Sequence, residues 1–396
     1  MNAKQIIRVL IVVLAALALT SLVAAAEDQP AASVTESEPN NSFATADFID
    51  VYAPDVMSGK INPADDQDYF HVIPDEEDSR FDWVIDIDTD SAASPLDTYI
   101  CVFDHDRVEV ACNDDSDGVD SLLFVTFSEW PTDFYIQVRE FHYPNQGGDA
   151  YSYKLSVYQP SFVSAATNGT VNGVAFQAAD ILVYNPARDK WSLFFDASDK
   201  GITANTSSIE VDPSGAALVF AKNQVITDVN GNHYTATPYD VVQFTAEQWG
   251  AYTFGYFEPA LLLDGSAVGL TTAGEKIDAL ARWWPAGSLL ISTTGGANVP
   301  ATTGGTLKGA DEDLLEFHPA NGKWSMDFDG SNVPGLGAED VYAAYEDLFH
   351  YDIVILGSGR VAGIPLTQKD ILMVEWGYGN VVKGMTFGYK IDAVSK

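Results

Sequence analysis

Asp180-Ile-Leu-Val-Tyr184 is a short strand signature that returns three more times along the second half of the chain. Each copy joins one Asp to an apolar run of the kind that forms a buried strand. The later copies begin after spacings of 60, 73 and 57 residues. A signature repeated at such a period indicates a repeat architecture in which neighbouring units share a core. The later copies are Asp240–Phe244, Asp313–Phe317 and Asp370–Val374.

Further strand segments follow these copies in a constant order. A Trp-led segment follows the first and third copies, at Trp191–Ser198 and Trp324–Ser331. The second unit departs from this, with an insertion before Leu263–Leu270. Four strands in a unit of roughly 60 residues predict a β-propeller blade. The third strands are Ser208–Asp212, Lys276–Leu280 and Asp340–Ala344, and the fourth are Ala217–Phe220, Leu289–Thr293 and Ile353–Leu356.

The two ends of this region predict that the repeats close into a ring. The last unit has Asp370–Glu375 and Met385–Ile391 and then lacks its outer strands. Ser161–Ala165 resembles the missing fourth strand, because a similar glycine-bounded segment follows both it and Leu289–Thr293. We therefore expect a four-bladed β-propeller-like domain over residues 161–396, completed by that clasp. An open β array or a two-sheet sandwich is the alternative.

The region before it, residues 36–160, predicts an all-β sandwich that follows a flexible lead-in at 27–35. Short apolar strands alternate with acidic turns every 8–12 residues or so, which is typical of sandwiches. The predicted strands are Phe81–Asp88, Thr98–Phe103, Val108–Cys112, Leu122–Phe127, Asp133–Arg139 and Tyr151–Tyr158.

The first 26 residues have the features of a secretory signal peptide. Lys4 and Arg8 precede an apolar run at Val9–Val23, and three alanines end at Ala26. A basic start, a short apolar centre and small residues at the end predict export with cleavage after Ala26. An uncleaved anchor is the alternative, for which the run is short. We expect a secreted or cell-surface protein.

The charge is strongly negative and uneven. The formal net charge is -37, with 30 acidic and 5 basic residues between 27 and 160, against 27 and 13 between 161 and 396. Such a field repels nucleic acid and anionic lipid and attracts divalent cations. We therefore expect no nucleic-acid partner and no membrane insertion once the signal is cleaved.

The chain has two cysteines, Cys101 and Cys112. If Asp106 and Arg107 form a two-residue turn, the two cysteines lie directly opposite each other in an antiparallel hairpin. A disulfide is favoured there in an exported protein. Two buried free thiols are the alternative.

An acidic motif, Glu36-Ser-Glu-Pro-Asn-Asn41, opens the sandwich region, and Asp65-Asp-Gln-Asp-Tyr-Phe70 follows it. Side chains at alternate positions of an extended segment share one side. Several carboxylate and amide oxygens held together are the donor set that Ca²⁺ prefers. A solvated acidic loop is the alternative. The candidate metal ligands are Glu36, Glu38, Asn40, Asn41, Asp65 and Asp68.

Together with Gly59–Ile61, Leu96–Ile100, Cys112–Asp115 and the Tyr151–Tyr158 strand, these motifs resemble bacterial pre-peptidase C-terminal domains over residues 34–159. The resemblance implies a jelly-roll-like β-sandwich, usually a non-catalytic appendage of secreted enzymes and surface proteins. The related collagen-binding domains of clostridial collagenases chelate calcium through the same opening motif. The resemblance thus implies calcium on the six candidate ligands, with the Tyr69 carbonyl as an addition. The later repeats resemble those of uncharacterised secreted bacterial proteins.

Motifs for catalysis are missing from the sequence. It contains no His-Glu-x-x-His zinc motif, and Gly357-Ser-Gly359 is not a hydrolase elbow. The Asp that heads each repeat could line a channel, but we favour a role in bonding backbone amides of a turn. We therefore expect a protein without enzymatic activity.

Tryptophans suggest where a ligand binds. Trp191 and Trp324 occupy equivalent places in the repeat and are expected in blade cores. Tryptophans that break the repeat are better candidates for stacking on a sugar or anchoring a partner. The candidates are Trp249, Trp283, Trp284 and Trp376.

Three functions are compatible with these observations. The favoured one is an extracellular, non-catalytic calcium-binding protein whose propeller binds a polysaccharide or a protein. The second is a secreted peptidase or glycosidase that uses the sandwich as a targeting appendage. The third is a structural component of an envelope layer.

Overall fold

The computed structural model describes residues 33–51, 56–74, 82–114, 119–127, 133–283, 287–346, 350–375, 377 and 380–395. The predicted signal peptide lies outside these residues, as do Trp284 and Trp376. The described part of the chain consists of β-strands and loops with short 3-10 helices, and it contains no α-helix. The all-β prediction is therefore confirmed. The 3-10 helices are Asp90–Ala92, Ala197–Lys200, Ser266–Val268, Ala273–Glu275, Gly330–Asn332 and Leu336–Ala338.

The first body is a two-sheet sandwich. Its described strands are β1 Ser33–Thr35, β2 Asp47–Ile49, β3 Val56–Lys60, β4 Asp68–Val72, β5 Asp82–Asp88, β6 Thr98–Phe103, β7 Glu109–Asn113, β8 Leu122–Thr126, β9 Phe134–Glu140 and β10 Ser152–Tyr158. One sheet has the order β1-β3-β10-β5-β8 and the other β2-β4-β9-β6-β7. Inward-facing residues such as Phe70, Trp83 and Ile136 fill the space between the sheets. The end of the expected flexible lead-in is part of the first sheet, because β1 pairs with β3.

The predicted hairpin and its disulfide are confirmed. Cys101 of β6 and Cys112 of β7 are opposite partners in the antiparallel register, and their sulfurs are bonded. The predicted register holds from Ile100 to Val102 and shifts at Phe103, close to the turn.

The second body contains four four-stranded sheets. Its described strands are β11 Phe162–Ala165, β12 Gly169–Val171, β13 Val174–Phe176, β14 Ile181–Asn185, β15 Lys190–Phe195, β16 Thr206–Asp212, β17 Gly215–Phe220, β18 Gln224–Thr227, β19 His233–Ala236, β20 Val242–Gln248, β21 Phe254–Phe257, β22 Ile277–Trp283, β23 Ser288–Thr293, β24 Ala297–Pro300, β25 Thr306–Gly309, β26 Leu314–His318, β27 Lys323–Phe328, β28 Val341–Glu346, β29 His350–Ile355, β30 Ser358–Val361, β31 Ile364–Thr367, β32 Asp370–Glu375, β33 Val381–Thr386 and β34 Ile391–Ser395.

Each sheet is one blade, ordered here from its inner to its outer strand. Blade 1 is β34-β11-β14-β15, blade 2 is β16-β17-β20-β21, blade 3 is β22-β23-β26-β27 and blade 4 is β28-β29-β32-β33. A two-stranded hairpin leaves each blade between its second and third strands. The inner strands β16, β22, β28 and β34 contact one another in sequence, and β34 returns to β16, so the ring is closed.

The strand grouping differs from the prediction by half a unit. The Asp370–Glu375 strand is the third strand of a complete blade 4, so no outer strands are missing. The predicted Met385–Ile391 strand is instead divided between the end of β33 and the start of β34. The clasp itself is present: β11 pairs with the C-terminal strand β34 in blade 1. Reading each unit from its Asp placed the innermost strand third, whereas blades 2, 3 and 4 begin with it and blade 1 receives it from the C-terminus as β34.

The Asp at the head of each repeat bonds backbone amides, as favoured. Asp313 accepts hydrogen bonds from the amides of Ala310 at 2.8 Å and Gly330 at 3.0 Å. Asp180 accepts equivalent bonds from Gln177 and Ala197. Asp180 and Asp313 thereby tie the turn before their strand to the loop after the next strand, whereas Asp370 bonds the Thr367 amide and the side chains of Thr386 and Lys383.

The two bodies pack tightly against each other. The aromatic ring of Phe124 in β8 lies 5.4 Å from Phe162 and 5.8 Å from Phe194 of blade 1. Arg188 pairs with Asp86, at 3.4 Å, and with Asp88. The sheet that carries β5 and β8 is therefore buried on both faces, by the sandwich core and by the propeller.

Candidate metal centre

The chain after β1 places Glu36 over the neighbouring strand β3. The Glu36 amide donates to the Ser58 carbonyl at 3.0 Å, which extends the pairing of β1 and β3. The Glu36 carboxylate accepts a hydrogen bond from the Lys60 amide at 2.6 Å. Backbone pairing therefore holds this carboxylate beside the first sheet.

Asp68 comes from the other sheet and meets Glu36 at Tyr153. Asp68 begins β4 and is fully buried. The Tyr153 hydroxyl of β10 lies 2.5 Å from Asp68 Oδ2 and 3.1 Å from Glu36 Oε2. One hydroxyl has a single proton to donate, so it cannot satisfy both carboxylates. The carboxylate lone pairs that this proton does not satisfy face the space shared by Glu36 and Asp68.

Glu38 and Asn40 complete the group. One carboxylate oxygen each from Glu36, Glu38 and Asp68 lies within 4.8 Å of the others. The buried Asn40 amide lies against two of these carboxylates, and with its nitrogen turned toward them it donates to Asp68 Oδ1 at 3.1 Å and to Glu38 Oε2 at 3.3 Å. The Asn40 backbone amide also donates to Glu38 Oε2, at 3.1 Å. Asn40 offers a ligand oxygen only in the opposite amide orientation, so the three convergent carboxylates are the part of the group that fits a hard cation.

Without a cation, burial and mutual repulsion raise the pKa values of these carboxylates. Burial, and then the charge of Glu36, raise the pKa of Asp68 to about 10. Burial also raises the pKa of Glu36 and of Glu38. The charged form of such a group needs an opposite charge nearby, and a bound cation would supply it.

The structure does not bring two of the six candidate ligands into this group. Asp65 is exposed. Asn41 donates instead to Asp66 Oδ1 at 2.5 Å. Asp66, which the sequence analysis did not select, also accepts from the Asn62 and Gln67 amides and so holds the loop before β4. The candidate set is therefore Glu36, Glu38, Asn40 and Asp68.

Sequence reasoning also missed Gly59 and Tyr153, which shape the centre. A Cβ on Gly59 would lie 2.3 Å from the Tyr153 ring and 2.5 Å from Glu36 Oε2. Gly59 therefore leaves the space in which the ring and the carboxylate meet. Both residues stand in segments that carry the family resemblance, but their contact joins strands that are distant in sequence.

We predict that Gly59→Ala displaces Tyr153 and Glu36 together. The added methyl has no room, and such overpacking costs about 1–3 kcal/mol. The chain should lose stability and bind calcium more weakly, as measured by chemical unfolding and calorimetric titration. Gly388→Ala in the propeller is the control, because open space surrounds its Cβ position and its φ lies outside the left-handed region. Unchanged calcium affinity in Gly59→Ala would contradict this description of the centre.

The tryptophans divide differently from the prediction. Trp191 and Trp324 are buried in the blades, as expected. Trp249 is also buried, at 6% exposure, and its ring stacks on Phe194 at 4.5 Å. Trp249 therefore packs in the core and offers no face to a ligand. The side chains of the other three candidates, Trp283, Trp284 and Trp376, lie outside the described residues.

One Ser-His-Glu group lies on blade 3, on the strands β26 and β27. His318 Nε2 lies 2.6 Å from Ser325 Oγ and 3.1 Å from Glu316 Oε2. In a catalytic triad the acid orients the histidine through the ring nitrogen that the serine does not use. Here both partners contact the same nitrogen, so this group lacks triad geometry.

Comparisons with known proteins leave the family open. No protein-family model matches the chain, and no curated protein matches it. Similar solved structures include PorZ, a bacterial surface component of the type-IX secretion system of Porphyromonas gingivalis, with 10% identity, a TM-score of 0.25 and 59% of this chain covered. The match spans 34% of the PorZ chain.

Two further structures are similar to this chain. YCF48 bound to D1 peptide has 8% identity and a TM-score of 0.22, covering 60% of this chain and 85% of its own. Saccharomyces cerevisiae Sqt1 has 8% identity and a TM-score of 0.20, covering 77% and 62%. At these scores the likeness supports no inference about this chain. The assignment to a β-propeller-like fold rests on its own sheet order.

Proposed function

We propose that this chain is an extracellular, non-catalytic calcium-binding protein whose propeller binds a polysaccharide or a protein. The observation that best supports the calcium assignment is the convergence of one carboxylate oxygen each from Glu36, Glu38 and Asp68 within 4.8 Å of one another. Calcium takes six to eight oxygen ligands or so, from carboxylates, amides, carbonyls and water. Glu36, Glu38, Asn40 and Asp68 would supply the side-chain ligands, with water completing the shell.

The ion would join the two sheets of the sandwich. Glu36 follows β1 at the edge of one sheet, whereas Asp68 begins β4 in the other. A cation shared by these carboxylates links the sheets and fixes the acidic loop. We therefore assign calcium a stiffening role in the sandwich.

Export is supported by three features. The N-terminal residues have a signal-like pattern, the chain is strongly acidic, and the two cysteines are joined. Disulfides persist in oxidising compartments. Among the described residues, no helix is long and apolar enough to cross a membrane.

An exposed aromatic pair on blade 2 is a better candidate for ligand contact than Trp249. Tyr252, just before the outer strand β21, is 58% exposed, and Phe254, at the start of that strand, is 56% exposed. Lys200 Nζ lies 5.8 Å from the Phe254 ring. Exposed aromatic rings beside a polar group suit stacking on a sugar or anchoring a protein.

We predict that the full chain binds a glycan or an extracellular protein on an array, and that Tyr252→Ala with Phe254→Ala weakens that binding at least tenfold. Phe48→Ala on strand β2 of the sandwich is the control, because Phe48 is an aromatic residue of similar exposure, 53%. A chain with no bound component on either array, or a double variant that binds normally, would contradict the ligand half of the proposal. Calcium removal tests the metal half separately.

A further inference from the structure

Each of the four inner strands carries a β-bulge at the same position. The pairing of the strand with its neighbour skips one residue directly after the strand begins. A bulge redirects the side chain of the skipped residue and is common beside functional sites. The skipped residues are Ser207 in β16, Asp278 in β22, Tyr342 in β28 and Asp392 in β34.

These bulges bring carboxylates together at one end of the ring. Burial and the nearby carboxylates of Asp392 and Asp278 raise the pKa of the Tyr342 hydroxyl above its usual value. A hydrogen bond joins Tyr342 to Asp392. Asp340, directly before β28, faces Asp278, and Asp311 lies close to both. Since β22, β28 and β34 are successive inner strands, this group lies around the axis of the propeller.

Asp278 has no partner that could stabilise its charge. It is 2% exposed, and neither of its carboxylate oxygens has a hydrogen-bond partner among the described residues. One carboxylate oxygen of Asp340 and the hydroxyl of Ser207 are likewise buried without a partner in that part of the chain. An ionised carboxylate buried in this way costs far more free energy than a protein tolerates. Either a proton or a cation must therefore accompany it.

We propose that a hydrated divalent cation binds between Asp278 and Asp340 at the propeller axis, as a second metal site independent of the one in the sandwich. A shared proton would form one hydrogen bond between the two carboxylates, whereas several of their oxygens can coordinate one cation at once. Two carboxylates with retained water form a familiar site for Mg²⁺, and Ca²⁺ also binds through carboxylates and water. The ion holds blades 3 and 4 together, because Asp278 belongs to β22 and Asp340 leads into β28.

The charges around Asp278 support this assignment. No lysine or arginine forms an ion pair with these carboxylates among the described residues. A cation from solution is the remaining source of positive charge.

The test is the number of ions bound by the full chain in equilibrium dialysis, with Ca²⁺ and separately with Mg²⁺. Asp278→Asn keeps the shape, and its amide can donate to Asp340, so the variant should melt in EDTA no lower than wild type. It should bind one ion fewer, whereas Asp264→Asn, the same change in an exposed turn, should bind as wild type does. Asp68→Asn should leave this axial ion in place.

The outcomes separate the two metal sites. An Asp278→Asn chain that folds and binds as many ions as wild type overturns the axial site, and Asp278 and Asp340 then share a proton. A loss in Asp278→Asn without a loss in Asp68→Asn supports the axial site and counts against the sandwich site. A loss of one ion in each variant supports both.

Discussion

Replacing calcium with EDTA should lower the melting temperature of the sandwich in the full chain by several degrees, and Asp68→Asn should remove most of that difference, with the remainder belonging to the proposed ion at the propeller axis. An ion that binds only the folded state stabilises it by about 2.7 kcal/mol when its free concentration is 100 times its dissociation constant. Asp68 is the buried carboxylate around which Glu36, Glu38 and Asn40 converge. Differential scanning calorimetry with and without calcium, together with calorimetric titration, measures both effects.

A matched variant makes this experiment specific. Asp65→Asn makes the same change three residues earlier, at an exposed position, and should keep the full calcium response. In EDTA, Asp68→Asn should melt close to wild type, because the pKa of Asp68 is about 10 without a cation and the neutral amide replaces an acid that is already protonated. Loss of the calcium response then reflects loss of the ion and not of the fold. Identical melting curves for wild type in calcium and in EDTA would disprove the sandwich site.

The full chain is required because one face of the sandwich is buried against the propeller. Leu122, Phe124 and Tyr158 lie on the outer face of its first sheet and pack against the propeller core. A fragment that stopped near residue 160 would expose these side chains to water. Burial of each side chain of this size contributes about 1.5–3 kcal/mol to the free energy of unfolding. The melting temperature of the fragment would therefore reflect the loss of this packing as well as the effect of calcium.

The same packing explains what the sequence predicted well and what it did not. Leu122-Leu-Phe-Val-Thr-Phe127 is a continuous apolar run, which is typical of a strand that is buried on both faces. The run correctly predicts a strand, but it does not identify which part of the chain covers the second face of that strand. The propeller residues that cover it, such as Phe162 and Phe194, lie far along the chain and carry no local signal of this contact.

The metal centre was predictable in part for a related reason. Glu36, Glu38 and Asn40 stand at alternate positions of one short segment, which singled them out in the sequence, but the segment bends at Glu38, so extended alternation alone does not explain how they converge. Asp68 joins them through its position at the start of β4. The placement of Tyr153 and the exclusion of Asp65 depend on how β10 and the loop before β4 pack. Only the tertiary structure decides such contacts.

The largest loss of stability should come from Val394→Asp in the C-terminal strand. Val394 is 1% exposed, pairs with Val163 of β11, and packs in the core shared by blades 1 and 4. A carboxylate at this point is buried without a partner, which costs several kcal/mol or more. A domain is stable by only about 5–15 kcal/mol, so the propeller should open at the clasp.

Val382→Asp is the control for this prediction, because it introduces the same charge on the nearby outer strand β33, where Val382 is 55% exposed. We expect Val382→Asp to melt close to wild type, and Val394→Asp to lose the cooperative transition of the propeller or to be cleaved rapidly by protease between its blades. Val394→Ala should fold with a loss of about 2 kcal/mol, which keeps the prediction measurable if the Asp variant is insoluble. Closure of the ring depends on β34 filling the innermost place of blade 1. Equal stability of the two Asp variants would therefore mean that the C-terminal strand does not hold the ring together.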